Sequence, residues 1–160
     1  MIKKLIAIFS LLFATLSFSG CAPEATNELP KTSIVIEDAW VRASEYSAKA
    51  GGMTGIFAKI TNNGDKTITL VGGSTDAAMM VQTHEVVNGM MQEKKGGIEI
   101  LAGQTVTLEP GGLHIMLMNL AKPIVVGDKI EYTFKFEGAD EQTFTLTAKE
   151  SEGGDETYTE

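Results

Sequence analysis

Short runs rich in β-branched residues recur from residue 33 to 150, separated by Gly, Asn and Pro. No stretch of ten or more residues in this range carries a helical period, so the runs predict strands. The candidate strands are 33–41, 53–61, 66–73, 80–87, 90–94, 104–110, 113–120, 128–136 and 142–150. Hairpin signals lie at Asn63-Gly64, Asn88-Gly89, Pro110-Gly111-Gly112 and Gly138. We therefore expect an all-β domain, an antiparallel Greek-key β-sandwich.

The segments that flank this domain have a different composition. Residues 1–20 combine a basic start, an apolar stretch and small residues before Cys21, a pattern similar to a bacterial lipoprotein signal in which the cysteine becomes the lipid-modified first residue. Phe18 stands where such signals usually carry Leu. Residues 21–32 are polar and proline-containing, which predicts a tether, and residues 151–160 predict an acidic disordered tail. The alternative is an ordinary secreted protein with a leftover cysteine.

Charge and cysteine content exclude several classes of function. Removing the signal takes Lys3 and Lys4 from the 13 basic residues and leaves 11 against 21 acidic residues, a net charge of −10. Such a surface repels phosphate backbones, so we expect no nucleic-acid partner. With Cys21 occupied by lipid, no thiolate remains for four-cysteine zinc, iron–sulfur or blue-copper sites, or for cysteine catalysis.

The two histidines of the chain each lie on a candidate strand beside a methionine. A two-residue turn at Asn88-Gly89 would set His84 opposite Glu93 and Val86 opposite Met91. Side chains alternate along a strand, so His84 and Met91 would share one face and Met90 would point to the other. Glu93 would then either orient the His84 imidazole or remain a solvated bystander.

Candidate strand 113–120 also places a histidine and methionines on the same face, since His114, Met116 and Met118 alternate along it. Two imidazoles and two thioethers are neutral, soft donors that suit Cu(I), whereas zinc prefers carboxylate or thiolate ligands. We expect the imidazoles of His84 and His114 and the thioethers of Met91 and Met116 to converge on one ion. The alternative for each residue is structural, with methionine as core filler. We assign that structural role to the remaining methionines of the domain: Met53, Met79, Met80, Met90 and Met118.

Three segments carry a resemblance to a known family: "THEVVNGMMQ", "GGIEILAGQTVTLEPGGLHIMLMNL" and "GDKIEYTFKFEGADEQTFTLTAKE". They are similar to the bacterial periplasmic copper(I) chaperones called PCu(A)C, across roughly residues 33–150. The resemblance implies a cupredoxin-like β-sandwich that binds Cu(I) through His84, Met91, His114 and Met116. The commoner family spacing would put Lys95 in place of Met91, so this chain has a shortened hairpin, with Met90 as the alternative ligand. The tail has neither His nor Met, so no second copper site is expected there.

The function that this resemblance implies is a non-enzymatic Cu(I) chaperone outside the cytoplasmic membrane, anchored by lipid at Cys21. Its partner would be cytochrome c oxidase or an assembly factor that loads it. Two alternatives remain: a metal-free accessory or adhesion lipoprotein, and a copper-buffering or resistance protein. Hydrolytic catalysis is disfavoured, because two histidines flanked by Met and aliphatic residues are poorly suited to general acid–base catalysis.

Overall fold

The computed structural model describes residues 34–151, and over this range the chain contains ten β-strands and no helix. The strands are β1 (Ile34–Ala43), β2 (Met53–Asn62), β3 (Ile68–Ser74), β4 (Ala78–Val87), β5 (Met90–Glu93), β6 (Ile98–Ile100), β7 (Thr105–Leu108), β8 (His114–Leu120), β9 (Lys129–Glu137) and β10 (Gln142–Glu150). Among these residues there is accordingly no helix of the length and apolarity needed for a membrane span. The predicted signal, Cys21, tether and nearly all of the tail lie outside the described residues.

The strands form one hydrogen-bonded path in the order β5-β4-β8-β2-β1-β10-β9-β3-β6, with β7 attached to β2. The path folds over, so that β3 packs against β4 without pairing with it. We describe the two layers as the site layer (β5, β4, β8, β2, β1, with β7) and the closing layer (β10, β9, β3, β6). The fully buried residues between them are largely aliphatic and aromatic, among them Ile56, Leu117, Leu70, Tyr132 and Leu146.

The all-β sandwich prediction is confirmed, and all nine candidate strands are present. One pairing differs from the antiparallel expectation, because β1 and β10 run parallel, with Trp40 opposite Thr147. The alternation of apolar and polar residues fixes which face of a strand is buried and leaves the direction of its neighbour open. The short strand β6 was also missed, since its three residues fall below the length of a recognisable run.

Two of the four predicted hairpins are present. Asn88 and Gly89 have φ values of 55° and 79° and join β4 to β5, and Gly138, with φ 85°, lies in the turn between β9 and β10. The turn at Asn63-Gly64 instead leads from β2 into the other layer, where β3 pairs with β6 and β9. The segment Pro110–Gly112 joins β7 to β8, and both strands pair with β2 at successive positions rather than with each other.

A bulge in β1 sets up the outer face of the site layer. Glu37 pairs with Lys59 but Trp40 pairs with Phe57, so β1 carries one extra residue, and Asp38 there has φ 54°. An extra residue reverses which side chains face the core beyond it. Val41 is therefore fully buried in the core, while Trp40 lies beside Phe57 on the opposite face of the sheet.

Candidate metal centre

The two histidines of the chain are direct cross-strand neighbours. In the antiparallel pairing of β4 with β8, His84 lies opposite His114, and their ring centroids are 5.6 Å apart with the planes tilted by 53°. Opposite residues project from the same side of a sheet, here the outer side of the site layer, away from Ile115 and Leu117. The expectation that folding brings these two segments together is confirmed.

His114 is held in one tautomer by the loop that precedes it. Its Nδ1 lies 3.0 Å from the carbonyl oxygen of Gly112, and since a carbonyl only accepts, Nδ1 carries the proton. The Nε2 nitrogen therefore carries the lone pair. The residue is 2% exposed, so this nitrogen is presented inside the protein. A hydrogen bond from the second ring nitrogen to a backbone carbonyl is how metal-binding imidazoles are usually oriented.

His84 is oriented in the complementary way. Its Nε2 lies 3.0 Å from the Gln82 side-chain oxygen, which accepts the proton, so its Nδ1 carries the lone pair. That Nδ1 is buried and has no hydrogen-bond partner within residues 34–151. Burial lowers the pKa of His84, the nearby His114 lowers it further, and Glu93 partly opposes the shift. The imidazole is therefore neutral near pH 7 and available as a ligand.

Met116 lies next to this pair on β8. It is opposite Gln82 on one side and Gly55 on the other, which makes it a diagonal neighbour of His84. Only 2% of Met116 is exposed. The thioether is thus buried on the same outer face as both imidazoles, as predicted.

Met91 occupies the register position that the hairpin signal predicted. Val86 pairs with Met91 and His84 pairs with Glu93, whereas Met90 pairs with Val87, lies on the other face and is 59% exposed. Lys95, the position set by the commoner family spacing, comes after the end of β5 and is exposed. The hairpin is further held by a 2.9 Å ion pair between Lys94 and Glu85.

The two methionines lie on opposite diagonals of the histidine pair. Met91 is opposite residue 86 of β4 and Met116 is opposite residue 82, with β4 between them. At ordinary sheet spacings this separates their backbones by about 13 Å along the strands and about 10 Å across them. The two histidines and Met116 are therefore a compact group, and Met91 has to reach toward it from the hairpin.

An aromatic wall closes one side of the group. Phe57 lies with its ring centroid 6.2 Å from that of His114 and 4.7 Å from that of Trp40, and the Arg42 guanidinium carbon is 4.9 Å from the Phe57 ring. A Cβ at Gly55, the residue opposite Met116, would approach the Phe57 ring to 2.9 Å, so the glycine leaves the space that the ring occupies. This wall shields the His114 imidazole from water.

The structure decides between the two alternatives for Glu93 and corrects the assignment of three methionines. Glu93 lies opposite His84 as predicted, and it is exposed, which matches the bystander alternative. The His84 Nε2–H instead donates its hydrogen bond to Gln82, a residue that the sequence analysis missed. The sequence did contain a signal for Gln82, because a residue two positions before His84 on the same strand projects from the same face. The core-filler assignment is wrong for Met79, Met80 and Met90, which are 79%, 51% and 59% exposed.

The donors of this group are soft and uncharged. Within the described residues, no cluster of three or more His, Cys, Asp or Glu could hold a metal ion, so a carboxylate-rich or thiolate site of the calcium or zinc type does not arise there. Imidazole nitrogen combined with thioether sulfur is a donor set that suits copper.

Comparison with protein families gives a match over almost the whole described range. The model of the family described as "Putative lipoprotein LpqE-like" matches residues 34–148. A curated relative from Leifsonia xyli subsp. xyli (strain CTCB07), named "Putative lipoprotein Lxx21020", is 37% identical over 152 residues, which cover 89% of each chain.

Solved structures with a similar fold include PCuAC domains. The copper-bound PCuAC domain from PmoF2 aligns with a TM-score of 0.62 and 26% identity over 74% of this chain and 93% of its own. The apo PCuAC domain from PmoF1 gives 0.63 and 26%, over 74% and 94%. CuI-DR1885 from Deinococcus radiodurans gives 0.52 and 24%, over 81% and 85%, which is a likeness of fold alone. The cupredoxin-like fold that the sequence resemblance implied is thereby confirmed.

Proposed function

Because this chain belongs to the LpqE-like lipoprotein family and pairs its two histidines across β4 and β8, we propose that it carries Cu(I) outside the cytoplasmic membrane. The observation that carries the proposal is the 5.6 Å histidine pair with Met116 buried beside it. Copper in the PmoF2 domain of similar fold supports the choice of metal. The two thioethers support the reduced oxidation state, because soft donors favour Cu(I).

The four ligands that we propose are His84 through Nδ1, His114 through Nε2, and the sulfurs of Met116 and Met91. They have unequal roles. The histidine pair and Met116 form the permanent part of the site, since His114 and Met116 are buried and both imidazoles are held by the sheet register and by hydrogen bonds. Met91 is the exchangeable ligand, because it lies half-buried on the terminal strand of the site layer.

This division suggests how copper would leave. A donor from an acceptor protein replaces Met91 first, which keeps Cu(I) coordinated throughout and needs no bond-making catalysis. The chain itself acts as a carrier rather than an enzyme. By the PCu(A)C resemblance, the acceptor that we propose is cytochrome c oxidase or an assembly factor that loads it. The lipoprotein relatives support an anchor at Cys21 that keeps the carrier at the membrane surface.

Competition between the purified protein and a colorimetric Cu(I) chelator tests the proposal. The wild-type protein should take up one tightly held Cu(I), and His84→Ala and His114→Ala should each weaken that uptake by at least about 100-fold, or about 2.7 kcal/mol. Gln92→Ala is a matched control, since Gln92 is exposed on the opposite face of the same hairpin. Unchanged affinity in both histidine variants would refute the site, and no tight Cu(I) uptake by the wild type would favour the metal-free accessory lipoprotein.

A further inference from the structure

Three methionines outside the proposed copper site form a straight row across the site layer. Met118 on β8 lies directly opposite Met53 on β2 and directly opposite Met80 on β4. Directly opposite residues share one side of a sheet, and their Cβ atoms are about 4.5–5.5 Å apart. All three side chains therefore project from the same outer face as Met116, which is two residues from Met118 on β8.

The exposure of this row does not suit core packing. Met80 is 51% exposed, and Met53 and Met118 are half-buried. None of the three belongs to the aliphatic core between the layers. A side chain that served only to fill space would gain little at these positions, whereas a thioether at a partly open surface is accessible to an ion.

The row has the chemistry of a soft-metal site. Each methionine has three rotatable side-chain bonds, so the sulfurs of Met53 and Met80 can lean toward the central Met118. Three thioethers are uncharged and soft, and they select a soft monovalent ion over zinc, calcium or magnesium.

We propose that Met53, Met80 and Met118 form a second metal site, which binds Cu(I) or Ag(I) through sulfur alone. It is weaker than the histidine site because it has no imidazole ligand. The binding at this row uses none of the four ligands proposed above, so it does not depend on the proposed function.

Ag(I) titration of the full protein with methyl-13C-labelled methionine tests this site, because Ag(I) is a soft monovalent ion that does not change oxidation state during the experiment. We expect two equivalents to bind. The weaker one should shift the methyl resonances of Met53, Met80 and Met118 together and leave Met79 and Met90 in place. Met118→Leu, which nearly conserves volume, should reduce the stoichiometry from two to one. Met79→Leu is the matched control, since Met79 is an exposed β4 methionine outside the row, and it should retain two.

The double variant His84→Ala/His114→Ala separates this proposal from the copper-carrier function. In that protein the row should still bind one equivalent, with the same three methyl shifts. If Met118→Leu is poorly folded, Met80→Leu at a more exposed position provides the second test. The second site is overturned if the three resonances stay in place, if Met79 and Met90 shift equally with them, or if both row variants keep two equivalents. A wild type that binds one equivalent at the histidines alone would overturn only the second site.

Discussion

Over residues 114–117 of β8, the two faces of the strand are equally buried and chemically opposite. Ile115 and Leu117 project into the interior between the layers and are fully buried. His114 and Met116 project from the other face of the same strand and are each 2% exposed. The inner face holds only hydrocarbon, whereas the outer face holds an imidazole nitrogen and a thioether sulfur.

The difference shows that burial alone does not identify the hydrophobic core in this protein. On the inner face, side chains are buried by the closing layer, and their contribution is the free energy of removing apolar surface from water. On the outer face, burial comes from the Phe57 wall and its neighbours, and it removes water from groups that can bind a metal. A substitution on one face should therefore change folding, and a substitution on the other should change binding.

The largest effect should follow from comparing two adjacent residues of β8. Leu117→Ala should reduce the free energy of unfolding by about 2–5 kcal/mol, since it opens a cavity in the core. Met116→Leu nearly conserves volume and should cost less than about 1.5 kcal/mol, yet it should remove a Cu(I) ligand. Urea unfolding measures the first property and chelator competition the second. If Met116→Leu destabilises as much as Leu117→Ala while Cu(I) affinity is unchanged, the outer face is simply a second core.

The inner face was the more predictable of the two from sequence. Strand alternation identifies which residues of β8 face inward, and the nine candidate strands followed from β-branched runs between turn residues. The pairing partner of each strand was harder to predict, because strand pairing depends on contacts between segments that are distant in sequence. The parallel pairing of β1 with β10 and the shared attachment of β7 and β8 to β2 have no local signature.

The outer face could be predicted only in part. The Asn88-Gly89 turn fixed the positions of His84, Met91 and Glu93 relative to each other, because turn geometry sets hairpin register. The direct pairing of His84 with His114 had no such local determinant. The bulge at Asp38, which turns Trp40 toward Phe57, was equally hidden, since nothing in the alternation of β1 requires an extra residue there.

The next effect in size concerns the residue that orients His84. Gln82→Ala removes the acceptor of the Nε2 proton, so the imidazole loses its fixed tautomer. Loss of such an orienting partner typically costs about 10–100-fold in metal affinity. Gln82→Glu keeps an oxygen acceptor at the same place and should retain most of the affinity. Chelator competition measures the Cu(I) affinity of both variants. Equal affinities of Gln82→Ala and wild type would show that the hydrogen bond has no role in binding.

A smaller effect should distinguish the two methionines of the hairpin. Met91→Leu removes the exchangeable ligand and should weaken Cu(I) binding about tenfold, or about 1.4 kcal/mol. It should also make transfer to an acceptor chelator faster. Met90→Leu should change neither property, because Met90 is 59% exposed on the other face. The reverse result, with Met90→Leu affected and Met91→Leu unchanged, would make Met90 the ligand and would require a one-residue shift of the hairpin on copper binding.

The smallest expected effect is a pH dependence of stability in the metal-free protein. It tests whether burial of the His84 imidazole outweighs the attraction of the Glu93 carboxylate. Burial lowers the pKa of His84 below the ordinary value of 6.5, and His114 adds to that shift while Glu93 opposes it. Below pH 6.5 the unfolded chain then binds more protons at residue 84 than the folded chain does. Stability therefore falls as the pH falls from 6.5 toward the lowered pKa, and it is unaffected above 6.5. Urea unfolding of wild type and His84→Gln across this range should show the wild type losing stability relative to the variant only on the acid side. Should the wild type instead gain stability in acid, the Glu93 carboxylate would outweigh desolvation, and the histidine face would be wet where the leucine face is dry.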